Sequence, residues 1–350
     1  MFDNDAKIYK IVQFLTSMKK FEGSVLSLTE KKVLKELDIN ARQGLSSIAG
    51  KLKISKQAVN YHIEGMIKKG FIKEFITYFD THKLGYTFYN VLIKLKYMTK
   101  EDRGKIIEKL KDVSNVVWIS SFMGEWQMIV SILAKDVGEF SMYLEEVLSS
   151  LKGKMLDYNF FIVISASQLG YKKIHSSHNE RHDSRINHSK IGAKDSTSLS
   201  ANDLKVLKII ANNAKMSIVD IAKTTQLTVD RARYSLKRLE RDKIIQGYKP
   251  LVNVSKLGYL WHIMFLRLKA SSEVEKKKMI NFLKGIHEVC YIVRCVGNCN
   301  LMVDFHTSTL DELERVKDKF SNEFSGMIAD EKTVQVTDEH MCTYFPGSLG

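Results

Sequence analysis

The feature that most constrains this chain is a match to itself. Displaced by 173 residues, its two halves align without a gap over most of their length. Lys83-Leu84-Gly85-Tyr86 falls on Lys256-Leu257-Gly258-Tyr259, while Ser27, Ala49, Tyr61 and Ile72 fall on Ser200, Ala222, Tyr234 and Ile245. Farther on, Leu110, Val116, Ile119, Gly124, Val130, Gly153 and Asp157 meet Leu283, Val289, Ile292, Gly297, Val303, Gly326 and Asp330. Four consecutive identities within a gap-free register identify a tandem duplication. Any face that one copy leaves uncovered therefore has a counterpart in the same polypeptide.

Each half divides in the same way. Ser27-x-x-Glu30 reads as a capping box proper and Ser200-x-x-Asp203 as a near variant, each opening a first helix. That helix carries Val33, Leu34 and Leu37 in one copy and Val206, Leu207 and Ile210 in the other. A short second helix holds Ile48-Ala49 or Ile221-Ala222, and a turn (Lys53-Ile54-Ser55 or Gln226-Leu227-Thr228) leads into a third. The following segments, GFIKEFITYFD and KIIQGYKPLVN, alternate enough to predict a two-stranded wing in each copy. From about residue 86 the pattern becomes strand–helix–strand–strand–helix–strand, with helices over 101–112 and 137–152 and strands over 115–123, 126–134 and 155–164. This order predicts a ferredoxin-like βαββαβ sandwich with helices on one sheet face only. The second copy is the expected cover for the other face.

The fold class is thus α+β. The expected units are an N-terminal amphipathic helix (1–26), a first winged helix-turn-helix domain (27–82), a first βαββαβ domain (83–168), a flexible polar linker (169–199), a second winged helix-turn-helix domain (200–255) and a second βαββαβ domain (256–345). The linker is poor in apolar residues, and its His175, His178, His182 and His188 read as incidental solvated side chains.

A formal charge of +14 favours a polyanionic partner, nucleic acid or an anionic membrane surface. No apolar run is long enough to span a bilayer, and the N-terminus lacks the pattern of a signal peptide, so a cytoplasmic location is expected. Cys290, Cys295, Cys299 and Cys342 do not have zinc spacing. The first three align with Val117, Phe122 and Trp126, so they read as small core residues. No metal or cofactor is expected.

The charge concentrates on the third helices. Thr228 is a plausible N-cap, and Ala232, Leu236 and Leu239 form a buried stripe. The outer face then carries Arg231, Arg233, Tyr234, Lys237, Arg238 and Arg241, with Asp230 among them. In the first copy the corresponding helix offers Lys56, Gln57, Asn60, Tyr61 and Lys68, with Glu64. Acids oppose phosphate, so the second helix is the stronger candidate for DNA and the first contributes position more than affinity. The paired tyrosines either reach a phosphate or base edge or rest on their own wing.

The span from Thr228 to Leu239, LERDKIIQGYKP and Lys256-Leu257-Gly258, followed by the Gly297-Asn298-Cys299-Asn300 hairpin, resembles the leucine-responsive regulator and AsnC family. The likeness covers nearly all of 27–165 and 200–340. It implies a transcription regulator whose winged domain docks on double-stranded DNA and whose βαββαβ domain dimerises, here as an intrachain pseudo-dimer open to homo-oligomerisation. It also implies a small effector, an amino acid or similar, near Gly124 and Gln127 or Gly297 and Asn300. Amides stand where the family pattern has aspartate, which removes the charged partner of an ammonium group. Two other readings use the same fold: an enzyme resembling siroheme decarboxylase and an effector-free architectural chromatin protein. The basic third helix, and the lack of a nucleophile–base–orienter set recurring in both copies, favour a non-enzymatic regulator.

Overall fold

A computed structural model of the chain describes residues 26–175, 186–187 and 198–349. The helix expected over 1–26 and the linker histidines His178, His182 and His188 lie outside the described residues. The first half contains α1 (Leu28–Ile39), α2 (Leu45–Leu52), α3 (Lys56–Lys68) and β1 (Ile72–Phe79). Then come β2 (Thr87–Leu95), α4 (Lys100–Lys111), β3 (Val116–Met123), β4 (Met128–Ala134), α5 (Val137–Ser150) and β5 (Met155–Gln168). A short helix α6 (Lys172–His175) and a strand β6 (Ile186–Asn187) precede the second half. That half repeats the order as α7 (Ala201–Ile210), α8 (Ile218–Thr225), α9 (Val229–Arg241) and β7 (Ile245–Val252). It ends with β8 (Leu260–Leu268), α10 (Glu273–Gly285), β9 (Val289–Gly297), β10 (Leu301–Thr307), α11 (Leu310–Phe324) and β11 (Ile328–Cys342).

Local chemistry accounts for the helix boundaries. Both capping boxes form, with Glu30 N donating to Ser27 Oγ at 3.2 Å and Asp203 N donating to Ser200 Oγ at 3.2 Å. The turn between second and third helices passes through a left-handed residue in each copy, Lys53 (φ 54°) and Gln226 (φ 57°), which ends the preceding helix.

The wings depart from expectation. Neither copy makes a two-stranded wing of its own; β1 pairs with β7 antiparallel, Phe75 opposite Pro250 and Thr77 opposite Tyr248. FIKEFITYF holds no turn residue in its middle, so it runs on as one strand whose edge must find an outside partner. The seam obeys the duplication. Ala41 N donates to Tyr248 O and its counterpart Ala214 N donates to Phe75 O, at 2.9 and 2.8 Å. Asp80 N donates to Ile244 O and Asn253 N to Phe71 O, both at 2.8 Å. Arg42 Nη1 reaches Ala214 O and Met216 O at 2.7 and 2.8 Å, while Lys215 Nζ returns to Ala41 O at 3.1 Å. One hydrophobic core accordingly runs through both helix-turn-helix units, from Val33 and Leu37 to Val206 and Leu239.

The βαββαβ units join edge to edge as well. Strands run β2-β4-β3-β11-β8-β10-β9-β5, and β5 pairs again with β2, so the sheet closes on itself. Closure removes the exposed edges that each half alone would leave. Helices α4 and α5 cover one outer flank over Ile107, Leu110 and Phe140; α10 and α11 cover the other over Met279, Leu283 and Phe320. Between the inner faces lie Phe122, Trp126 and Phe161 against Phe265, Val293 and Met302, with Cys295 and Cys299 among them as small apolar side chains. The second copy is thus the cover that the one-sided sandwich required.

The described parts of the 169–199 segment are docked, which corrects the flexible-linker expectation there. Leu169 and Ile174 are buried, and Ile186 pairs with Gln168 and packs against Gly247. His175 is also buried rather than solvated: its Nε2 lies 2.9 Å from Asp38 Oδ2, and Lys249 Nζ lies 3.2 Å from Asp38 Oδ1. A carboxylate this deep persists because Lys249, His175 and a backbone donor, Tyr171 N at 2.9 Å, surround it. The network ties α1, α6 and β7 together.

Candidate nucleic-acid interface

The two third helices are built alike from the core outward. Val59, Ile63 and Met66 seat α3, and Ala232, Leu236 and Leu239 seat α9, as the stripe predicts. Each N-cap hydroxyl accepts from the third residue on: Ser55 Oγ from Ala58 N at 3.0 Å and Thr228 Oγ1 from Arg231 N at 3.3 Å. Capping leaves the other free N–H groups of the first turn at the helix end, where they favour a phosphate.

Outward, Tyr61 is 74% exposed and Tyr234 is 65% exposed. Neither rests on a wing. On α9, Arg231, Arg233, Lys237 and Arg241 are exposed with Tyr234. Two of these cations are already engaged, Arg233 with Asp230 at 2.8 Å and Arg241 with Asp242 at 2.8 Å. The Arg241 guanidinium also holds the Asp242 carboxyl below its ordinary range. Arg231 and Lys237 form no ion pair among the described residues, so their charge is fully available to an incoming anion. On α3, Lys56, Gln57, Tyr61 and Lys68 are exposed, and Asn60 Nδ2 donates to Glu64 Oε1 at 2.7 Å.

Arg238 differs from its neighbours and corrects the expectation of an outward-facing cation. It is half-buried, its Nη1 sits 3.1 Å from the buried Asp203, and its Nη2 donates to Ser198 O at 2.8 Å. It braces α9 against α7 instead of facing solvent. The signal for this is Asp203 itself. As the capping-box acid it is 1% exposed, and a carboxylate so placed needs a cation within reach.

The hairpin residues also take structural roles. Gln127 Oε1 accepts from Leu95 N at 2.9 Å, while Nε2 donates to Gly124 O at 2.8 Å. At the equivalent place Asn300 Oδ1 accepts from Leu268 N at 2.8 Å. Gly124 and Gly297 have φ of +148° and +122°, and a Cβ on either would press at 3.0 to 3.1 Å on Val334 or Phe160 of a neighbouring strand. Both amides and both glycines thus shape the hairpins.

Two winged helix-turn-helix units fused through one strand pair, above a closed double βαββαβ sheet, define a duplicated regulator-type protein. The description "Winged helix-turn-helix DNA-binding" matches residues 26–73 and again 199–246. An uncharacterized HTH-type transcriptional regulator of Pyrococcus furiosus is 28% identical over 133 residues, 37% of this chain and 88% of that protein. The proline dehydrogenase transcriptional activator of Rhizobium radiobacter is 26% identical over 117 residues, 33% of this chain and 74% of that one. The solved structure of the siroheme decarboxylase NirDL superposes with a TM-score of 0.57 at 11% identity, covering 91% of this chain and 93% of its own; at that identity the likeness is one of fold. The chain thus carries the winged helix-turn-helix DNA-binding segment twice and is similar to HTH-type transcriptional regulators, with the leucine-responsive regulator and AsnC family as its resemblance.

Proposed function

We propose that the chain binds double-stranded DNA chiefly through α9, with α3 as a weaker second anchor, and that one polypeptide does the work of a dimer. The observation that carries this reading is the pair of matched, outward-facing third helices, of which α9 presents Arg231 and Lys237 unpaired beside an exposed tyrosine. Unpaired cations release counterions from the phosphate backbone, whereas Asp230 and Glu64 retain part of the local charge. Reciprocal hydrogen bonds across β1 and β7 support the pseudo-dimer, because each half supplies what a partner subunit would. Sedimentation giving a compact monomer, or closed assemblies of it, fits this reading; assemblies held by domains exchanged between chains oppose it.

A small effector acting through the fused domains completes the proposal, without relying on the hairpin amides, which brace their own strands. The test of the DNA reading is a binding titration across a salt series on a genomic fragment and on random duplex. A steep salt dependence with preference for the fragment supports a sequence-reading regulator; equal affinity for both supports an architectural binder. The fold likeness to a siroheme decarboxylase raises an enzymatic alternative. A tetrapyrrole bearing several carboxylates calls for a roomy cation-lined chamber. A cavity of about 410 Å³ beside Asn300 is lined by Lys269, Lys276 and Arg294, which leaves that alternative to be tested by titration with a tetrapyrrole. The space between the halves is about 130 Å³, and its described lining has His82 and His306 but neither Lys nor Arg.

A further inference from the structure

The space between the halves lies on the pseudo-two-fold of the duplication. Its walls come in matched pairs from the two copies: Phe88 with Trp261, Trp118 with Tyr291, and Tyr171 with Tyr344. The rings pack around it, Trp118 stacking on Trp261 at 6.4 Å and Phe88 meeting Tyr344 edge-on at 5.9 Å. The symmetry breaks at the polar positions. Where the first copy has Ser131, Leu133 and Val117, the second has Asp304, His306 and Cys290. Leu133 and Val117 are buried, so apolar residues serve the fold at two of these positions. The second copy carries instead a carboxyl, an imidazole and a thiol, each less than 9% exposed.

These groups are not consumed by the fold. Asp304 Oδ2 accepts from Trp261 Nε1 at 3.1 Å, but Asp304 Oδ1 has no partner among the described residues. Gln168 Oε1, His306 Nδ1 and Thr81 Oγ1 are likewise buried without a partner, and all four residues line this cavity. Buried polar atoms without partners cost about 1–3 kcal/mol each, so a cluster of them around one space indicates a ligand that completes them. Gln168 and Asp304 both sit opposite Tyr291, on β5 and β10 respectively, so two acceptors flank one aromatic ring on a single rung. Cys290 Sγ lies 3.5 Å from His306 Nε2, yet burial pushes the thiol up and the imidazole down to about 3. That pair is neutral, which suits binding and not nucleophilic attack.

We propose that this cavity is a binding site for a small single-ring nitrogen compound whose N–H groups donate to Asp304 and Gln168, and that its occupant is the effector of this chain. The size fits: about 130 Å³ approaches an engineered cavity of roughly 150 Å³ that holds benzene. The aromatic walls favour a ring, and a cationic one gains further from their faces. The effector role rests on the regulator reading. Its structural basis is that Tyr78 of β1 and Leu251 and Val252 of β7 also line the cavity, so an occupant touches the strand pair joining the two DNA-reading units.

Benzamidine, toluene and benzoate share a ring and differ in the head group, which makes them suitable probes. Trp118 and Trp261, two of the three tryptophans, report occupancy by fluorescence, with calorimetry as the independent measure. We expect saturable binding of benzamidine, weaker binding of toluene and none of benzoate. Benzamidine affinity should rise from pH 6 to 8, because the cation favours ionised Asp304, whose burial raises its carboxyl to about 8. The other carboxylate of the wall, Glu339, is held by Trp118 Nε1 at 3.2 Å and Lys73 Nζ at 3.6 Å, and burial raises its carboxyl too. Asp304→Asn should therefore weaken benzamidine by about tenfold or more and reduce that pH dependence to the part Glu339 contributes. If Asp304→Asn does not fold, Ala166→Leu, which fills the cavity from another wall, serves as the second variant and should block all three probes. No saturable benzamidine binding, or toluene and benzoate bound as tightly as benzamidine, overturns the site. For the effector role, DNA affinity is measured with and without saturating benzamidine, and a change of at least threefold is expected. Intact DNA binding that ignores bound benzamidine overturns that role alone. No DNA binding in either state overturns the regulator reading while leaving the Asp304-dependent site standing.

Discussion

At the scale of single residues, the informative positions are buried charges and imidazoles that an apolar core would not need. Asp38 is fully buried and held by Lys249 and His175 from two other elements. Removing its carboxylate takes the ion-pair partner from the buried Lys249, so Asp38→Ala should cost on the order of 3–5 kcal/mol, read as the shift in urea midpoint at constant slope. A loss below about 1 kcal/mol would mean the network is not structural. Asp304 makes an opposite prediction with a pH signature. Burial raises its carboxyl to about 8, far above its unfolded value, so its contribution is fully present below pH 4 and lost as pH rises toward 8. Asp304→Asn cannot ionise, and its stability relative to the natural chain should improve by roughly 1 kcal/mol per pH unit between pH 5 and 8. A gap that does not change with pH would show that Asp304 ionises as readily as it does in the unfolded chain.

At the scale of elements, α9 and α3 are the same helix with different outer faces. Replacing Arg231 and Lys237 with alanine removes two unpaired cations, so the salt slope should flatten by about one for each phosphate left unneutralised, with weaker binding to every sequence. The matching change on α3, Lys56→Ala with Lys68→Ala, should weaken binding less. Equal effects would make the two helices equivalent readers. Unchanged binding in the α9 variant would remove it from the interface. Much of this was legible in the chain: the apolar stripes, the N-caps and the strand order followed from periodicity and from a repeat that tested each half against the other. The wings were not, because alternation gives a strand its faces but not its partner, and here the partner lies about 170 residues away. Arg238 was misplaced for a related reason. A helical wheel separates inside from outside, but it cannot show that Asp203, on another helix, sits within reach. The docking of Leu169, Ile174 and His175 was hidden by composition, since a few buried side chains among polar neighbours look like a linker.

At the scale of the whole molecule, neither half can close its own structure. The first sheet ends on β3 and β5, whose free edges are taken by β11 and β9 of the second half. The helix-turn-helix cores merge across β1 and β7, and the inner sheet faces share Phe122, Phe161, Phe265 and Met302. Separating the halves would expose both shared cores and break the β1–β7, β3–β11 and β5–β9 ladders. An intermediate with one half folded therefore bears a large apolar and unpaired-edge penalty, at roughly 25 cal/mol per Å² of apolar surface before the unpaired backbone groups are counted. This predicts cooperative unfolding despite the size of the chain and its duplicated plan. Urea denaturation followed by far-ultraviolet circular dichroism and by tryptophan fluorescence should give coincident curves. The first signal senses helices in all four units, whereas Trp118, Trp126 and Trp261 sit only in the βαββαβ region. Two resolved transitions, with ellipticity lost well before fluorescence, would mean the helix-turn-helix pair melts on its own. The seam at β1 and β7 would then be too weak to carry a signal from the cavity to the DNA-reading helices.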